Sequence, residues 1–253
     1  MYIILSPTKT MMQPKLEFKA IKASKPHFLS KAESINTFLK KLNKKELQKL
    51  MKLSDKLTEE TFNKINEWGS SENYKYPAVL SYYGTAFKYL KAQEWSDDTA
   101  NYAQNNLLIL SGLYGILKPY DLVEKYRLEM GLKFKFLDGY TNLYDFWFKD
   151  IINYLTDFKN DKIIVNLASN EYIKVINKYS YFDKIINCTF LQNSNGKLKV
   201  VANHSKAARG SMANFVLQNK IKAPNKLKEF NDLGYLFNID RSDNKNLVFV
   251  RNN

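Results

Sequence analysis

The sequence predicts a mixed α/β fold, a single domain spanning residues 1–253 in which a mixed central sheet is wrapped by helices. Three observations carry that prediction. Short β-branched runs recur along the chain, YIILSPTK (2–9), IIVNLASNEY (163–172) and KVVANHSKAARG (199–210), and each ends in a small-polar cluster. Segments with helical spacing lie between the strands, neither alternating strictly with them nor segregated from them. No internal repeat, low-complexity tract or Gly/Ser-rich linker divides the chain.

The elements follow in order. Residues 2–5 form a first strand, with a loop after it. Residues 30–41 predict a helix with Ile35, Phe38, Leu39 and Leu42 on one face. A second helix over 44–53 carries Leu47, Leu50 and Met51, and Thr58 then caps a third through Trp68, with an acidic first turn. PAVLSYYG (77–84) predicts a strand, FKYLKAQEW a helix, and SDDTANYAQNNL a helix capped at Ser96. LLILSGLYG (107–115) reads as strand or helix end. YRLEMGLKF (126–134) alternates as a strand does, and residues 143–158 predict an apolar helix with Phe146, Ile151, Ile152 and Leu155 as its buried stripe. A strand at 163–167 leads into a helix at 171–178. Asn195-Gly196 is the turn of one hairpin, a second turns around Ser242–Asn246, and between them a helix runs over 206–220 with His204-Ser205 as its cap.

Composition narrows the function classes. A hydrophobic fraction of 45% with 14% aromatics places the chain among globular proteins and away from disordered ones. No segment reaches the roughly 18 apolar residues a membrane helix needs. The opening residues lack the basic region and cleavage site of a signal peptide and are expected to form the first strand. One cysteine, Cys188, and two histidines, His27 and His204, are too few for a disulfide framework or a zinc cluster. The expectation is a cytoplasmic protein with no metal, no cofactor and no membrane association, of undetermined oligomeric state. Cys188 sits in mid-strand, as an inert core thiol would. The net charge of +14 points to a polyanion, although all but four of the cations are lysine, which an A/T codon bias produces by itself.

The polar strand ends supply the candidate site. In α/β sheets, ligands bind where strands end and helices begin. Ser6 and Lys9 follow the first strand, Ser169 follows the 163–167 strand, and Lys206 and Arg209 would fall in the first turn of the helix after 205. Cations there oppose the helix dipole unless an anion joins them; two solvated basic residues are the alternative. In YRLEMG, Arg127 and Glu129 would share one face, either as a surface ion pair or with Arg127 as a phosphate or carboxylate fork. Glu171 and Glu129 are the acid/base candidates, although local capping by itself explains Glu171, and His204 could be a base but is as easily part of the helix cap. The helix pair at 44–68 places Ser54 and Lys56 in its turn, as backbone-binding helix–hairpin–helix modules do, but without their glycines. SGLYG, within 104–123, is a second candidate hairpin. No hydrolase triad order, Walker loop, dinucleotide fingerprint or metal motif occurs.

The segments LSPTKT, LMKLSDKL, LSGLYGILKPYDLV, YRLEMG, NLASNEY and SKAARG, with GYLFN and LVFVR toward the end, together resemble the YaaA family of peroxide-stress resistance proteins. The resemblance implies a positively charged cleft, a helix–hairpin–helix element and binding of duplex or branched DNA without marked sequence preference. It also implies a cytoplasmic role in limiting free intracellular iron under peroxide stress. It carries no catalytic residues over. The site expected from the residues is therefore Ser6, Lys9, Ser54, Lys56, Arg127, Ser169, Lys206 and Arg209, binding DNA phosphates. An enzyme acting on a small anionic or nucleotide substrate in the same cleft is the alternative.

Overall fold

The computed structural model describes residues 1–14, 23–71, 73–133, 139–156, 163–177 and 184–252. Its frame is an eight-stranded sheet with β1 (Tyr2–Leu5) near the middle. On one side of β1 lie β3 (Leu107–Ser111) and β4 (Gly115–Leu117). On the other lie β6 (Ile164–Asn166), β7 (Ile185–Ser194), β10 (Asn246–Arg251) and β9 (Leu236–Phe237). β3, β1, β6, β7 and β10 run parallel, while β4 and β9 close the edges antiparallel. β8 (Lys197–Lys199) pairs with the last residues of β7, opposite β10. A separate ribbon joins β2 (Tyr76–Pro77) to β5 (Leu122–Val123). Every residue of β1, β3 and β6 is buried. Continuous apolar runs with no polar face require cover on both sides of a parallel sheet, and this explains why those strands do not alternate.

The helices are α1 (Leu29–Lys40), α2 (Lys44–Met51), α3 (Asp55–Glu67), α4 (Ala78–Ser81), α5 (Thr85–Leu90), α6 (Asp97–Asn106), α7 (Leu143–Thr156), α8 (Asn170–Asn177) and α9 (Ala202–Gln218). Asn43 and Glu46 form a capping box on α2, and Ser96 caps α6 through the Thr99 amide. α7 buries Phe146, Trp147, Ile151, Ile152 and Leu155. α9 packs on α5, α6 and β7, and α7 packs on α8 and β4. At the β7–β8 hairpin, Asn195 (φ 52°) and Gly196 (φ 79°) are both left-handed, as a two-residue turn of this twist requires.

Several expectations are corrected. PAVLSYYG is not a continuous strand: Pro77 pairs within β2 and Tyr82 makes an isolated bridge to Met11, while between them α4 forms, its first amides of Ala78 and Val79 bonded to the carbonyls of Asp121 and Pro119. LLILSGLYG is a strand and a tight β3–β4 hairpin, with Ser111 opposite Gly115, so SGLYG is not a helical hairpin. Residues 126–130 alternate in burial, Tyr126, Leu128 and Met130 in and Arg127 and Glu129 out, without pairing as a strand. The burial rhythm is that of extended chain, and extended chain does not need a ladder partner to show it. The rest of that segment reaches into 134–138, outside the described residues, as do the ends of the predicted helices 143–158 and 171–178. Thr58 is not a cap. α3 starts at Asp55, and the Thr58 hydroxyl donates to the Ser54 carbonyl one turn back. The helix predicted over 206–220 starts four residues earlier, at Ala202. Ser205 is buried inside it with its amide bonded to the Val201 carbonyl.

Candidate functional site

Parallel strands deliver their carboxyl ends to one edge of the sheet, and the strand order reverses across β1: the chain leaves β1 for β3 and β4, then returns to β6 on its other side. A crevice forms at such a point, and here it is a cleft of about 460 Å³. The loop after β1 contributes Ser6, Thr8 and Lys9 to its lining. Tyr83 through Ala86 enter from the start of α5, and Tyr126 through Glu129 from the extended segment. Ser169 and Glu171 come from the start of α8, Lys206 and Arg209 from α9.

The β1–β6 register fixes the first contacts. Leu167 donates to the Ile4 carbonyl (2.9 Å), so the next residues of both strands stand side by side. Ser6 Oγ accepts from the Ser169 amide (2.8 Å) and donates to Ser169 Oγ (3.2 Å). The Ser169 hydroxyl proton is left to donate into the cleft. Glu129 bridges two cations, 2.8 Å from Lys9 and 3.9 Å from Arg127. Glu171 accepts from the Gly131 amide (3.1 Å), and Tyr144 holds its backbone carbonyl (2.9 Å). The Tyr126 hydroxyl bonds to both Ser111 and Tyr82 at 2.7 Å, and burial pushes its pKa up to about 12. That phenol stays protonated and forms rigid floor.

The two arginines each keep a donor outside this paired set. The Nε atoms of Arg127 and Arg209 are buried and have no hydrogen-bond partner among the described residues. Burial also lowers the Arg209 pKa from its usual range, against a smaller raising influence from Cys188 beneath it. Buried orphan donors cost about 1–3 kcal/mol each, more for charged groups, so a pair lining one cleft calls for an acceptor. Both side chains line the cleft, where an oxyanion with several oxygens would complement their charge.

Six of the eight predicted binding residues are thus brought together: Ser6, Lys9, Arg127, Ser169, Lys206 and Arg209, with Glu129 and Glu171 beside them. Lys206 and Arg209 reach the cleft from the second and third turns of α9, so the expected role for its free N-terminal amides is corrected. Ser54 and Lys56 are not part of the cleft lining. Both are exposed, Ser54 at the N-cap of α3 and Lys56 in the first turn of that helix instead of in the expected turn between helices, while Lys52 (φ 52°) takes the left-handed position that a glycine usually fills. His204 is neither cap nor cleft residue; its Nδ1 meets Gln192 Oε1 at 2.5 Å. Sequence reasoning missed Tyr83, Gly84 and Thr85. Their signal was a glycine followed by threonine after an aromatic pair, a helix start misread as strand. Among the described residues, no three His, Cys, Asp or Glu side chains gather so as to hold a metal ion, and no helix is long and apolar enough to cross a membrane.

Comparison with known proteins adds a second line of evidence. The family model described as "Peroxide stress protein YaaA" matches residues 1–241. The chain is 40% identical over 252 residues to the UPF0246 protein DP0358 of Desulfotalea psychrophila, covering 98% of this chain and 97% of that protein. It is 40% identical over 257 residues to a UPF0246 protein of Clostridium perfringens strain SM101, covering 99% and 100%. The UPF0246 protein lpl1317 of Legionella pneumophila is 35% identical over 257 residues, with 99% of each chain covered.

Proposed function

The chain belongs to the peroxide stress protein YaaA family, and from that premise we propose that it serves the peroxide stress response by binding DNA phosphates in the cleft at the strand ends. The observation that carries this reading is the pair of cleft-lining arginines whose Nε atoms are buried and unpartnered among the described residues, beside an exposed Lys206. Arginine presents a planar fork suited to phosphate oxygens, and phosphate contacts carry no base information. Duplex or branched DNA is bound without strong sequence preference, and the exposed start of α3 with Ser54 and Lys56 adds a second backbone contact. Limiting intracellular free iron under peroxide stress belongs to the same reading as an associated role.

Salt dependence tests the proposal. Log affinity for duplex falls against log salt by roughly 0.9 per phosphate neutralised. Replacing Lys206 and Arg209 together by alanine lowers affinity equally for unrelated sequences and flattens that slope by up to about two units. A slope untouched by the double substitution removes the cleft from DNA binding.

The cavity's size supports a second reading. A volume of about 460 Å³ falls within the range of small-molecule sites, as an enzyme acting on a small anionic or nucleotide substrate requires. Glu129 and Glu171 are then its acid/base candidates. Under that reading the double substitution abolishes nucleotide binding and barely alters duplex affinity.

A further inference from the structure

Phosphate recognition in the cleft has a geometric consequence for which phosphate is recognised, and the inference rests on that proposed reading. Arg127 and Arg209 both line a cleft of about 460 Å³, and their Nε atoms are buried and unpartnered among the described residues. A duplex meets such a space with its backbone phosphates at the mouth, where Lys206 is exposed. One nucleotide fits. The donors along the lining are several: two guanidinium edges, the Ser169 hydroxyl proton and the Lys206 ammonium. The carboxylates are already engaged, Glu129 with Lys9 and Arg127, Glu171 with the Gly131 amide. An internal phosphodiester offers two free oxygens and a single charge. A terminal phosphomonoester offers three oxygens and close to two charges at neutral pH, which matches the donor set better.

The rim supplies the rest of a nucleotide site. Tyr83 borders the cleft and is 43% exposed, one of few large aromatic side chains so placed. An exposed ring beside a cationic groove is a stacking platform that accepts any base. Lys88 lies 4.8 Å from the centroid of that ring, which adds charge at the same edge.

We propose that the cleft receives one terminal nucleotide, its phosphomonoester on Arg127, Arg209 and Ser169 and its base against Tyr83. The source is either the phosphorylated end of a DNA strand or a free mononucleotide. Single-stranded octamers identical except for a 5′-phosphate, a 3′-phosphate or hydroxyl ends are titrated against the full chain by fluorescence anisotropy. One phosphorylated form is expected to bind at least about tenfold tighter than the hydroxyl form, the scale of one added charge-assisted hydrogen bond. Arg127→Lys and Arg209→Lys, which keep the charge and lose the fork, abolish that preference, and Tyr83→Ala weakens the preferred strand. Circular dichroism verifies that each variant is folded. Competition by dAMP as effective as by the phosphorylated octamer assigns the site to mononucleotides; weaker competition assigns it to strand ends. Equal binding of all three octamers overturns the inference and leaves the backbone reading standing. No binding of duplex, octamer or dAMP at low salt overturns both.

Discussion

Gly210 is where the fold and the cleft depend on the same atoms. It lies in α9 one residue beyond Arg209, and a Cβ built on it would stand 1.9 Å from the carbonyl oxygen of Ala86 and 2.8 Å from its carbonyl carbon. Real contacts of this kind essentially never fall below 3.0 Å, so Gly210→Ala forces α5 and α9 about 1.1 Å apart. The opposing atom is backbone, which no rotamer change can move aside. Overpacking of a closed interface costs about 1–3 kcal/mol, and a main-chain clash belongs at the upper end. Alanine's better helix propensity returns about 0.5–1 kcal/mol. A net loss of about 1–2 kcal/mol remains. With an m-value of about 2–3 kcal/mol/M in urea, the unfolding midpoint followed by tryptophan fluorescence falls by roughly 0.5 M.

The same movement has a second readout. Thr85 and Ala86 line one wall of the cleft and Lys206 and Arg209 another, so separating the helices shifts the walls by more than the roughly 0.5 Å that a preorganised site tolerates. Anion affinity therefore drops in the folded fraction as well. A variant with a midpoint at or above that of the original chain, and with unchanged binding, refutes the claim that this close approach shapes the cleft.

Other expectations are simpler to state. Ile152 is 4% exposed on the buried face of α7, and Ile152→Ala should cost about 2–5 kcal/mol; a near-neutral denaturation midpoint would show that α7 is peripheral. Lys56 is exposed in the first turn of α3, so Lys56→Ala should weaken duplex binding modestly in a gel-shift titration and leave the unfolding midpoint unchanged. Unaltered affinity removes that turn from the DNA contacts. Burial pushes the Cys188 thiol up to about 12, leaving roughly one part in ten thousand as thiolate at pH 8. Native protein treated with peroxide or iodoacetamide should show Cys188 unmodified by mass spectrometry, with reaction only after denaturation; rapid native modification would mark it as a redox sensor.

What the sequence made legible follows physical lines. Strands buried on both faces announce themselves as unbroken apolar runs, so β1 and β6 could be read directly, whereas β3 could not be told from a helix end by periodicity. The Phe146–Leu155 stripe of α7 and the Asn195-Gly196 turn are similarly local signals. Ser6, Lys9 and Ser169 could be nominated because parallel strands place their polar ends on one edge, whereas Arg127 was marked by alternation and by the scarcity of arginine, and Lys206 and Arg209 by a helix start that lies four residues earlier than expected. The failures have tertiary causes. Tyr76–Ser81 carries β-forming residues, but its amides find carbonyls of Pro119 and Asp121 and the chain turns helical. Ser205 is the best capping residue near the start of α9, yet it is buried one turn inside, and Val201 takes the cap position without a side-chain bond. Neither outcome is encoded within a window of ten residues.

The choice between arginine and lysine locates the site better than the net charge does. All but four of the 39 cationic residues are lysine, and a field of that kind raises affinity for any polyanion without selecting a surface. Yet of the four buried side-chain nitrogen or oxygen atoms without a partner among the described residues, three are arginine Nε atoms. Arg251 has an aromatic neighbour, its guanidinium 5.7 Å from the Tyr235 ring centroid. Arg127 and Arg209 have the cleft. A lysine ammonium at either position would be more strongly hydrated and would lack the planar edge, so compositional drift toward lysine meets a chemical limit there. Arginine-to-lysine variants leave the charge of +14 intact, and any loss of binding they cause reports the geometry of the two forks rather than the strength of the field around them.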